Sequence, residues 1–161
     1  MGDPLSIYLN DHLAGATLGT ELARRARDAN RGSSYEEFFA RLSDEIEEDR
    51  SELKAIMSSL GVGSDRLKVS AAWAAEKAGR LKLNGQLKGY APLSRVTEIE
   101  ALVVGVEGKM ALWRGLKEIA ATDARLDADS LTELADRAQR QLRTLRTQHK
   151  RAVRDALSTP G

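Results

Sequence analysis

Four long stretches of this chain carry apolar residues at the three- and four-residue spacing of a helix face. In the first, Leu5, Leu9, His12, Ala16, Gly19, Ala23 and Ala26 fall within one arc. The second carries Phe39, Leu42, Ile46, Asp49, Leu53, Ile56 and Leu60. The third shows Val96, Ile99, Val103, Val106, Met110 and Trp113, and the fourth Leu131, Leu134, Ala138, Leu142, Leu145, His149, Ala152 and Ala156. Rods with one apolar stripe each bury it by packing side by side, so the pattern predicts an all-α bundle. Abundant Ala, Leu, Arg, Glu and Lys favour helix, and few aromatic or β-branched residues argue against a sheet. His12, Asp49 and His149 stand in these stripes where aliphatic side chains are expected.

Local punctuation sets the limits of the rods. Asp3-Pro4 reads as a capping side chain with proline at the first helical position. Ser34 with Glu37, and Ser130 with Glu133, have capping-box spacing, while Gly32 and the run Gly61-Val62-Gly63 read as stops. The helices are expected over about 4–30, 34–60, 95–120 and 130–157. The first and second, and the third and fourth, are joined by short connections and predict two antiparallel hairpins. A connection over 62–94 separates the hairpins. Within it Asp65 is placed to cap a short helix holding Leu67, Ala71, Trp73, Ala74 and Ala78, followed by irregular chain at Asn84-Gly85 and Gly89-Tyr90-Ala91-Pro92. Its length suits a crossover from one end of the bundle to the other, with the second and third helices parallel. Trp73 and Tyr90 are read as side chains pinning that segment to the bundle, the alternative being a protein-binding patch.

At 161 residues the whole chain, 1–161, is expected to be one domain. With no cysteine, disulfides, thiolate metal sites and cysteine nucleophiles are excluded, and a reducing cytoplasm fits. The start, Met1-Gly2-Asp3-Pro4, lacks the basic and apolar regions of a secretory signal. No run approaches the roughly 20 apolar residues that span a bilayer, so no membrane is expected. No phosphate-binding glycine loop, Ser-His-Asp set or zinc spacing is present.

The helix lengths, the two hairpins and the run Asp44-Glu45-Ile46-Glu47-Glu48-Asp49 ahead of Leu53 and Gly61 resemble the ferritin-like superfamily over most of residues 4 to 157. That resemblance implies a four-helix bundle with one long crossover. Members with a di-metal centre carry core-facing glutamates on the first and third helices and Glu-x-x-His on the second and fourth. Here the second helix offers Glu45-x-x-Glu48 and the fourth Ala138-x-x-Gln141. The first offers Ala16, while Glu100 and Glu107 lie at the edge of the third. The resemblance therefore implies a bundle whose metal centre is lost. Its expected role is a non-enzymatic structural or interaction protein that meets another protein or a second copy of itself. The alternative is a divergent metal-binding protein or oxidoreductase holding iron or manganese at Glu45, Glu48, Asp49 and His12. In an antiparallel hairpin His12 lies near the level of Asp49, so a buried His12–Asp49 pair fixing helix register is the simpler expectation. His149 lies at the opposite end, within reach of Glu100 or the start of the second helix.

Charge is unevenly distributed although the formal net charge is only +1. The fourth helix carries Arg137, Arg140, Arg143, Arg146, Lys150, Arg151 and Arg154 without an acid between Asp136 and Asp155, and the second is rich in Asp and Glu. Nucleic-acid binding through the basic helix is one reading. Mutual neutralisation of the two helices, within the bundle or across a dimer, is the simpler one. Gly15 and Gly19, and Ala101 and Gly105, are spaced for close helix packing, or for a contact between copies.

Overall fold

The computed structural model describes residues 3–64 and 90–158 and contains four α-helices among them: α1, Pro4–Ala29; α2, Glu36–Ser59; α3, Pro92–Ala120; and α4, Ala128–Leu157. The Asp3 carboxylate accepts from the amides of Leu5 and Ser6 with Pro4 at the first position, as expected. The end of α2 is a Schellman motif: Gly61 has φ +71°, Val62 N–H donates to Met57 O, and Gly61 N–H to Ser58 O.

Two expected caps are replaced. Helix α2 starts at Glu36 behind Tyr35, which makes no side-chain capping bond. Ser34 is instead engaged by Arg151, and the Glu36 carboxylate reaches back to the Gly32 amide. For α4 the capping carboxylate is that of Asp127, three residues before Ser130. Helix α3 begins at Pro92 rather than near 95, because Pro92 occupies the first helical position instead of ending irregular chain.

Side-chain pairs fix the directions of the rods. Arg25 meets Glu98, and Tyr8 packs against Gly115, so α1 and α3 are antiparallel. Tyr35 meets Asp155 and Leu60 O meets Arg125, so α2 and α4 are antiparallel as well. Asn10 Nδ2 donates to Gly63 O across the first hairpin. The end of α2 and the start of α3 thus lie at opposite ends of the bundle. Helices α3 and α4 make the most extensive contact, followed by α1 with α2 and α1 with α3. The short helix and Trp73 expected after Asp65 lie outside the described residues.

The core is continuous along the bundle, from Phe39, Val96 and Ile99 at one end to Met57, Leu116 and Leu131 at the other. Most of the stripes are buried as expected. On α1, however, the buried face runs through Leu9, Leu13, Thr20, Ala23 and Ala26. His12, Ala16 and Gly19 are turned toward the seam with α3. Leu13 is the larger apolar side chain, and its burial sets the rotation of the helix. No described helix is long and apolar enough to cross a membrane.

Candidate functional site

The centre of the bundle holds a carboxylate, 2% exposed, on α2: Asp49. One of its oxygens, Oδ2, accepts from Lys109 Nζ of α3 and from Gln141 Nε2 of α4, the latter at 3.1 Å. The other, Oδ1, accepts from Arg137 Nε of α4 at 2.7 Å. Gln141 closes the set, since its Oε1 accepts from Lys109 at 2.6 Å. A glutamine fits this place because it offers a donor to the carboxylate and an acceptor to the ammonium without adding charge. Burial holds the Lys109 ammonium below the ordinary lysine range, and the Asp49 carboxylate beside it works the other way. Arg137 extends the network outward to Glu48 Oε2 at 3.1 Å.

This arrangement corrects the expected His12–Asp49 pair. His12 stacks edge-on against Tyr8, with ring centroids 4.6 Å apart and planes at 71°. The partners of Asp49 all come from the second hairpin. Of the four residues considered as metal ligands, Asp49 is buried under cations, Glu48 is exposed, Glu45 is half-buried beside Lys109, and His12 packs on Tyr8. No three Asp, Glu, His or Cys side chains come together as a metal-binding group among the described residues. Lys109 is a member of this network that the apolar stripes alone do not mark. Its position three after Val106 and four before Trp113 places it on the buried stripe of α3, a signal available in the spacing.

Beside this network a groove of about 470 Å³ opens between α1, α2 and α3. Its lining includes Tyr8, His12, Leu22, Leu53, Val104, Leu112 and Trp113, together with Gly15, Gly19, Gly105 and Gly108. A methyl group placed on any of those four glycines would touch nothing within 4 Å. The Gly15/Gly19 and Ala101/Gly105 pairs therefore do not mark tight packing; they widen a recess. Val104 on its rim is 72% exposed. Asp49, Arg50 and Lys109 reach the same lining from the bundle centre.

A second polar cluster closes the end where α2 and α3 begin. Tyr90 donates its hydroxyl hydrogen to Glu98 Oε2 at 2.8 Å and accepts from Asn30 Nδ2 at 2.9 Å, while Arg95 Nε donates to Asn30 Oδ1. Tyr90 is thus pinned onto the bundle as anticipated. Burial raises the Glu98 carboxyl above its ordinary range, and the hydrogen bond from Tyr90 and the Arg25 charge partly offset that. The ring of Tyr35 lies between two guanidinium groups, Arg95 at 4.2 Å and Arg151 at 4.3 Å, with its hydroxyl on Asp155. His149 meets Glu100 at 2.9 Å, one of the two positions considered for it.

The basic face of α4 is partly matched within the bundle. Arg137 pairs with Glu48 and Asp49 on the acidic helix, and Arg146 with Glu107 on α3. Arg140, Arg143, Lys150 and Arg154 make no ion pair among the described residues. Comparison with family models, with curated proteins and with solved structures gives no match to this chain.

Proposed function

We propose that this chain is a non-enzymatic binding or interaction protein of the ferritin-like bundle type, with built-in cations where related bundles place metal ions. The observation that carries the reading is the coordination of Asp49. One ammonium, one guanidinium and one amide engage both oxygens of the carboxylate at the centre. Three of the roughly four lone-pair sites of the carboxylate are so occupied, and two adjacent positive charges oppose entry of a third. With its centre closed, the bundle has the open seam between α1 and α3 as its means of contact. The absence of cysteine suits a reducing cytoplasm, which is the proposed location.

Metal analysis tests this against the iron- or manganese-binding alternative. The full chain is produced in medium supplemented with both metals and purified without chelator. The expected result is no stoichiometric iron or manganese. One or more ions per chain, lost on Asp49→Asn substitution, would sink the proposal.

A further inference from the structure

Four glycines of the groove between α1 and α3 contribute no packing contact, since from two different helices they face open space. Its lining runs from Tyr8 to Leu22 on α1, about 21 Å at 1.5 Å per residue. The walls are apolar, and the volume lies within the range of small-molecule sites.

The polar groups on that lining are unbalanced. Trp113 is 1% exposed, and its indole Nε1 has no hydrogen-bond partner. Arg50 Nε is also buried without a partner, although Nη1 of the same guanidinium donates to Glu47 Oε1 at 3.3 Å. Lys109 has a third N–H beyond those given to Asp49 and Gln141. On the acceptor side, both oxygens of Asp49 already take donors, Asp11 is exposed to solvent, and the half-buried His12 ring packs on Tyr8. The unmet groups are therefore donors, and leaving buried donors unmet is costly. Lys109 and Trp113 are four residues apart on α3 and share a face, and Arg50 adjoins Asp49, which Lys109 holds. The three donors belong to one level of the bundle, while Gly15, Gly19 and Gly105 continue the recess along the helices.

We infer that this groove binds a small amphipathic carboxylate, its aliphatic tail along the glycines and its head group at Arg50, Lys109 and Trp113. This rests on the binding reading above and gives it a ligand class. The two are separable, because metal analysis reports on the bundle centre and ligand titration on the groove.

Decanoate is the probe, titrated into the full chain carrying Trp73→Phe so that Trp113 is the sole indole. Its fluorescence should change and saturate at one decanoate per chain. Decanol and decyltrimethylammonium, with the same tail, should bind at least about tenfold more weakly, the loss of one charge-assisted hydrogen bond. Arg50→Met should weaken decanoate by about tenfold while leaving decanol unchanged. Gly105→Leu, and Gly19→Leu from the opposite wall, should abolish binding with helicity and melting temperature retained, since both positions have room. Absence of saturable binding to the folded chain would overturn the inference, as would decanol binding as tightly as decanoate. So would a dimer in sedimentation that Gly105→Leu converts to monomer, which would make the groove a contact between copies.

Discussion

Asp49 is held by side chains from two other helices, and removing it leaves Lys109 and Arg137 as neighbouring buried cations without their shared counter-charge. Breaking such a pair is far more costly than an exposed one, so Asp49→Ala should destabilise the fold by about 3 kcal/mol in denaturant melts. Combining Asp49→Ala with Lys109→Ala should cost clearly less than the sum, with a coupling of about 1–3 kcal/mol. The Asp49→Ala, His12→Ala pair should instead be additive; measurable coupling there would contradict the contacts described. Glu98 adds a pH signature. Its folded carboxyl titrates above the ordinary glutamate value of 4.5, so the folded state holds the proton after the unfolded state has lost it. The stability contribution of Glu98 is therefore full below about pH 4.5 and is lost as pH rises through the folded value. Relative to Glu98→Gln, which keeps an acceptor for Tyr90, the wild-type chain should lose stability as pH rises above about 4.5. A difference that is flat with pH would refute this. At this scale the sequence marked Asp49 as anomalous but could not name its partners, because three donors on two other helices converge only once rotation and register are set.

The helices themselves were largely legible. On α2 the buried residues follow the expected stripe from Phe39 to Leu60, Ile56 being only half-buried. On α1 the stripe holds at Leu9, Ala23 and Ala26, but between them it is displaced by one residue, 100° on a helix, with Leu13 and Thr20 buried in place of His12 and Gly19. His12, Ala16 and Gly19 are small or amphipathic enough to pass for a weak apolar face, and only competition from Leu13 resolves the choice. The caps differ for separate reasons: Asp127 offers the same kind of acceptor as Ser130 three residues earlier, whereas Ser34 is taken up by the tertiary contact with Arg151. The same helices supply a stability test. Gly105 lies inside α3 with open space around it. Gly105→Ala should therefore stabilise the protein by about 0.5–1 kcal/mol, through reduced freedom of the unfolded chain. A loss of stability would mean that the position is crowded.

For the whole molecule, connection lengths gave the two hairpins, and the short links could join neighbouring rods only in antiparallel fashion. How the hairpins sit together was less accessible from sequence, because it depends on matching polar groups spread along three rods. Tyr35 is the clearest instance. Its hydroxyl reaches a carboxylate 120 residues later, and its ring is flanked by cations from α3 and α4. Arg95 is made midway, but Arg151 and Asp155 lie in the last two turns of α4, and closing so long a loop is entropically slow. A nascent polypeptide can complete its first hairpin early, yet this end stays ajar until the last turn of α4 leaves the ribosome.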